Sequence, residues 1–308
     1  MKTRDPADAT RAHHRGDRLS PRRRFDDVEC TISHLLRFPH PALHGLRYGE
    51  ALLRGIAARG IVPERDGVLE IGGGAGHVAE AAWRGDAGPF SRAPWTALDL
   101  SPALIGAESA RLRAHSRFRA VRADALALPL RSGSFLGLAL ANEVIADLPV
   151  SDGRNEGAVQ LVRELARVLA PGSAAVLTEF GGDFPPAPIE LVAGLGAGRH
   201  VEWSIDFRAV REAAGRAGFL VAEEPLHQLL GADLAVRCAS YTDLWRLRRL
   251  VRIPGFAAPA VDIRRRHPWL SRFLALELPP LGSPRWPDAL ASGGFAQLFR
   301  ALLLRKPT

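Results

Sequence analysis

Residues 68–76, Val-Leu-Glu-Ile-Gly-Gly-Gly-Ala-Gly, hold the densest chemical signal in the chain. Val68, Leu69 and Ile71, with Glu70 among them, read as a buried parallel strand. Gly72, Gly74 and Gly76 follow in G-x-G-x-G spacing. Glycine there lets the backbone turn sharply and lets a ligand touch it with no side chain between. A nicotinamide fingerprint needs G-x-G-x-x-G, and His77 stands where its third glycine would fall. The loop is therefore either a ligand cradle of another kind or a plain strand end. Acids follow in order. Asp99 closes Trp95-Thr96-Ala97-Leu98-Asp99-Leu100, where a carboxylate is placed to bind two ribose hydroxyls or simply to open the next helix. Asp124 follows the strand 118–122, Asn142, Glu143 and Asp147 follow the strand 136–141, and Glu179 ends the strand 173–180. An amide and carboxylates gathered at one sheet edge can orient a reacting group and take its proton.

The elements that must position these residues alternate in type. Strands are expected at 67–71, 95–100, 118–122, 136–141, 173–180 and 219–224, and helices at 77–84, 102–114, 156–170 and 206–217. Ser101 caps and Pro102 opens the second of these helices, while Ala170-Pro171-Gly172 and Gly218 end the last two. Such alternation implies a parallel, doubly wound α/β sheet. Phe299–Arg305 reads as the last strand. The chain divides into a basic tail at 1–24, expected to be disordered, a helical cap at 25–60 and a core at 61–226. An insertion at 227–295, expected to cap a substrate, and a final core strand at 296–308 complete it.

Composition narrows the classes. Residues 1–24 carry a net charge of +5, residues 25–236 one of −6 and residues 237–308 one of +9. A basic cap docked on an acidic core explains this as well as an anionic partner does. Aromatics among arginines at Trp245, Trp269, Phe273 and Trp286 suit a small satellite core with arginine stems over it, or base stacking. No apolar run reaches the ~18 residues of a membrane span. No secretory segment opens the chain, and Cys30 and Cys238 form neither a disulfide framework nor a metal-ligand spacing, so a reducing cytoplasm is expected. The histidines form no metal motif, and no metal is expected.

The glycine loop resembles motif I of class I S-adenosylmethionine (SAM) methyltransferases, with Glu70 as its acidic strand residue. That resemblance implies a Rossmann-like, seven-stranded sheet, SAM as cofactor and S-adenosylhomocysteine (SAH) as product. It further implies that Glu70, Gly72, Gly74, Gly76, Asp99 and Leu100 bind the cofactor. Asp124 would accept from the adenine amino group, the Ala125 N–H would meet the ring, and Asn142 would border the site. Methyl transfer from a sulfonium is an in-line displacement needing alignment, exclusion of water and loss of the acceptor's proton. Glu143 would orient an N–H-bearing acceptor and take its proton, unless it is only a helix N-terminal acid. Asn142 would fix a carbonyl or hydroxyl, and Glu179 would be a second acid in the pocket.

A narrower resemblance follows strand four. Asn142-Glu143-Val144-Ile145-Ala146-Asp147-Leu148-Pro149-Val150 resembles the Asn-Glu-x-x-Asp-Ala-x-Pro-Val segment of the MidA-type family, which includes the protein arginine methyltransferases that assist complex I assembly. Glu179-Phe180-Gly181-Gly182, Ile205-Asp206-Phe207 and Gln228-Leu229-Leu230-Gly231 agree with it in order. Ala146 and Asp147 are exchanged relative to that pattern, which turns the second acid by about 100° if the segment is helical. Ser204 stands where that family has histidine. The region around Asp124 looks more like small-molecule methyltransferases. The expected acceptor is a nitrogen or oxygen of a peptide, protein or amino-acid-derived molecule. A small secondary metabolite and a non-catalytic, partner-binding role are the alternatives. The lack of an Asn-Pro-Pro-Tyr type loop weighs against nucleic acid.

Overall fold

Short apolar strands flanked by amphipathic helices can bury both sheet faces only by placing helices on each side. The computed structural model describes residues 36, 39, 43–84, 87–189, 202–233 and 299–308. Its strands are β1 (Val68–Ile71), β2 (Trp95–Asp99), β3 (Phe118–Arg122), β4 (Leu138–Asn142), β5 (Ala174–Gly182), β6 (Pro188–Ile189), β7 (Glu202–Trp203), β8 (Ile205–Asp206), β9 (Leu220–Pro225) and β10 (Phe299–Arg305). Its helices are α1 (Tyr48–Ala58), α2 (His77–Arg84), α3 (Pro102–Leu112), α4 (Glu156–Val168), α5 (Phe207–Arg216) and α6 (Leu226–Leu229).

The main sheet runs β3-β2-β1-β4-β5-β10-β9, with β8 attached to β5. Strands β1 to β5 pair in parallel with their neighbours, and β10 runs antiparallel to both β5 and β9. The strand order reverses at β1, whose neighbours are β2 and β4. Ligands of open α/β sheets bind beyond the carboxyl ends at such a reversal. The expected α/β sheet is thus present, and so is the expected cap at Ser101, whose Oγ accepts from Leu104 N at 3.3 Å; Asp206 Oδ1 likewise accepts from Ala209 N at 3.3 Å.

Alternation along β1 and β4 divides the core in two. Val68, Leu138 and Leu140 face α1, α2 and α6. Leu69, Ile71, Ala139 and Ala141 face α4 and α5. Helix α1 belongs to the core: Leu52, Leu53 and Ile56 are fully buried. The described part of the expected cap, residues 43–60, is therefore a structural layer. The tail 1–24 and residues 234–295 of the expected insertion lie outside the described residues.

One helical glycine is set by packing. In an isolated helix, alanine in place of Gly55 would gain about 1 kcal/mol. Here a Cβ at Gly55 would overlap the carbonyl of Leu229 on α6. Gly55→Ala should therefore destabilise the fold by about 2 kcal/mol and lower the thermal midpoint by about 5 °C. A raised midpoint would show that α1 and α6 are not packed this closely.

Candidate active site

The glycine loop leaves β1 while still bonded to the sheet, with Gly72 N donating to Leu98 O at 2.8 Å. Gly72, Gly74 and Gly76 have φ of 70°, 60° and 76°. Any residue with a Cβ is strained there by roughly 1–2 kcal/mol. The loop closes through Gly76 N donating to Gly73 O at 3.0 Å, and α2 starts at His77. Arg111 of α3 holds the outer side, its Nε donating to Ala75 O at 2.6 Å. Val144, just past β4, packs where a Cβ of Gly72 would go. The loop and the end of β4 are thus in contact.

Asp99 ends β2 beside this loop and is 8% exposed. Ser101 N donates to its Oδ1 at 2.8 Å, and the N–H groups of Gly74 and Leu100 also point to it. Burial pushes its carboxyl up to about 6; those three N–H groups oppose the rise and the charge of Asp147 adds to it. Ala123 N donates to Asp99 O at 2.9 Å, which brings Asp124 and Ala125 next to Asp99 and Leu100. The Asp124 carboxylate accepts from Leu126 N at 3.0 Å and is held at its turn.

Across the loop, two buried hydroxyls converge on one oxygen. Tyr48 donates to Asn142 Oδ1 at 2.6 Å and Thr178 Oγ1 donates to the same atom at 2.8 Å. The Asn142 side chain is fixed by α1 and β5, and its oxygen is already engaged. Glu143 follows at φ 52°, its N–H donating to Thr178 O at 3.0 Å. Only a single 3-10 turn, Ile145–Asp147, comes next. This rules out two alternative readings. Glu143 is not the first acid of an α-helix, and the 100° helical rotation of Asp147 does not apply. Glu179 is 4% exposed, and its two oxygens accept from Ala146 N at 3.1 Å and Phe180 N at 2.9 Å. It braces the 3-10 turn through Ala146 N.

Glu70 lies beneath the loop. Its Oε2 accepts from the buried Trp95 indole N–H at 2.7 Å. Burial raises its carboxyl to about 8, with the Trp95 bond opposing and the Asp99 charge adding. Beside it lies Glu108 of α3, which the sequence reading did not single out. Glu108 is fully buried, neither of its oxygens has a hydrogen-bond partner, and a Cβ at Gly73 would overlap its carboxyl. A signal for it existed: Leu104, Glu108 and Leu112 share one helix face, and all three are buried. Tyr48 carried no comparable signal, since it meets Asn142 across 94 residues of chain.

The arrangement fits a nucleoside cofactor with a flexible polar tail. Loop backbone without Cβ atoms offers close approach, and a fixed carboxylate at the next strand end suits a ribose diol. Residues 69–177 match the methyltransferase domain family. A search of curated proteins finds no match. Two solved structures share the fold. One is the [4+2]-cyclase SpnF, with TM-score 0.50 and 18% identity over 84% of this chain and 82% of that one. The other is a putative sarcosine dimethylglycine methyltransferase from Galdieria sulphuraria, with TM-score 0.50 and 15% identity over 85% of this chain and 86% of that one. The family match makes residues 69–177 a methyltransferase domain, set in the α/β fold that these two structures share. Among the described residues no helix is long and apolar enough to cross a membrane, and no cluster of His, Cys, Asp and Glu could hold a metal ion.

Proposed function

We propose that the chain methylates a nitrogen or oxygen of a peptide, protein or amino-acid-derived acceptor that docks at the carboxyl end of β4. The observation that carries this reading is Glu143 at φ 52°. A non-glycine residue in that region costs roughly 1–3 kcal/mol, and such strain gathers at functional sites. Its neighbours on either side are Asn142, clamped by Tyr48 and Thr178, and Val144, packed on the cofactor loop.

When bound, SAM supplies an electrophilic methyl group on a sulfonium. The chain's own residues do the rest. Gly72–Gly76 backbone and Asp99 hold and orient the cofactor. Glu143 aligns an N–H or O–H acceptor and removes its proton, while Asn142 offers amide N–H donors to an oxygen, its own oxygen being engaged by Tyr48 and Thr178. The Asn142–Val150 phrase resembling MidA-type enzymes supports a peptide or protein acceptor. A small-molecule acceptor is the second reading, favoured by the Asp124 turn. A structure named as a cyclase shares the fold, so the fold by itself does not fix the reaction.

Purified chain, methyl-labelled SAM and an extract of the source organism split by mass test the proposal. Label in the macromolecular fraction supports the first reading, and label confined to the small-molecule fraction the second. Label in neither contradicts methyl transfer and favours a non-catalytic role. With the labelled acceptor in hand, Glu143→Gln should keep SAM affinity within about twofold and lower turnover about 100-fold. Unchanged turnover would remove Glu143 from the chemistry.

A further inference from the structure

A carboxyl group buried with no donor and no cation beside it needs a reason, because an isolated buried charge is strongly unfavourable. Glu108 is such a group, and it presses against the underside of the loop that approaches the cofactor, at Gly73. From β1 it meets the charge of Glu70, and from β2 that of Asp99. Asp147, on the 3-10 turn, adds to the field at Asp99. Cations near the loop are engaged elsewhere. Arg111 donates to Ala75 O and pairs with Glu80, and its Nη2 lies 3.3 Å from His77 Nε2; Arg84 also pairs with Glu80. Among the described residues no cation pairs with Glu70, Asp99 or Glu108.

The site is therefore short of positive charge, and the cofactor brings it. SAM carries a sulfonium cation, and SAH, its demethylated product, carries a neutral thioether in the same position. We propose that Glu70, Asp99 and Glu108 form an acid cluster beneath the glycine loop, coupled through their charges, that gives up a proton when SAM binds and keeps it when SAH binds. The cluster then favours substrate cofactor over spent product. The inference rests on the reading of this loop as the SAM site.

The sign follows from linkage. The SAM complex holds fewer protons than the free chain, so SAM affinity rises with pH relative to SAH affinity. Burial, then Glu70 and Asp99, hold the Glu108 carboxyl up at about 10, and Glu70 is held at about 8. Protons are thus available for release at neutral pH. Hydrogen bonding of Asp99 to the ribose is common to both ligands and cancels in their ratio.

Calorimetric titration of the full chain with SAM and with SAH, in buffers of different ionisation enthalpy, counts the protons exchanged. Proton release on SAM binding but not on SAH binding is expected, with the SAM-to-SAH affinity ratio rising about fivefold between about pH 6 and about pH 8. Glu108→Gln, which preserves shape and stays neutral, should cut that rise by about half with the thermal midpoint little changed. Equal proton counts for the two ligands in the wild-type chain would overturn the proposal, as would an undiminished rise in Glu108→Gln. Absence of binding by either ligand would instead overturn the assignment of the loop as the SAM site.

Discussion

Asp99→Ala should abolish measurable SAM binding. Two hydroxyls donating to one carboxylate are worth about 1.5–3 kcal/mol each, so their joint loss lowers affinity at least about 100-fold. The fold should survive, because Asp99 sits at the end of β2 and no side chain pairs with it among the described residues. Calorimetry beside a thermal melt separates the two effects. The pH profile gives a second check. The ionised carboxylate is the acceptor, and burial holds it at about 6. Affinity for SAH should be full above that pH and fall by about tenfold per unit below it, and SAM affinity should show the same loss below it. Unchanged affinity in Asp99→Ala would mean that the ribose is held elsewhere.

Gly73→Ala should be nearly as damaging, for a different reason. Its neighbours Gly72 and Gly74 need glycine for their positive φ, whereas Gly73 lies outside that region. What excludes a methyl there is the Glu108 carboxyl. Overpacking against the fully buried Glu108 side chain costs about 1–3 kcal/mol, so SAH affinity should drop about 10-fold to 100-fold. Removing the obstruction should reverse the loss: Gly73→Ala combined with Glu108→Ala should bind SAH within about fivefold of the wild type. A double variant no better than the single one would show that Gly73 is required for its backbone alone.

Much of the fold was legible because local chemistry and global fold agree. The strand Phe118–Arg122 and the helix His77–Arg84 stand where residue pattern put them, and the closing strand Phe299–Arg305 where the methyltransferase resemblance put it. The conformation of the glycine loop was legible for the same reason, since positive φ at Gly72, Gly74 and Gly76 is written as glycine. The acceptor side was less so. An acid such as Glu143 just past a strand suits a helix start as well as a pocket, but at φ 52° it precedes only a 3-10 turn, and nothing in local propensity marks that. Glu179 looked like a pocket acid because it ends a strand at the right edge. Its engagement by Ala146 N depends on a contact across 33 residues. Glu108 escaped because an acid on a helix reads as solvent-facing unless its apolar partners at i−4 and i+4, Leu104 and Leu112, are weighed with it.

The most direct test of the account is a crystal structure of the chain with SAH. The ribose diol should lie on the Asp99 carboxylate, the methionyl portion against the bare backbone of Gly72–Gly76, and the thioether sulfur should face the end of β4 at Asn142–Glu143. A ligand bound elsewhere, or bound here with its ribose away from Asp99, would contradict it.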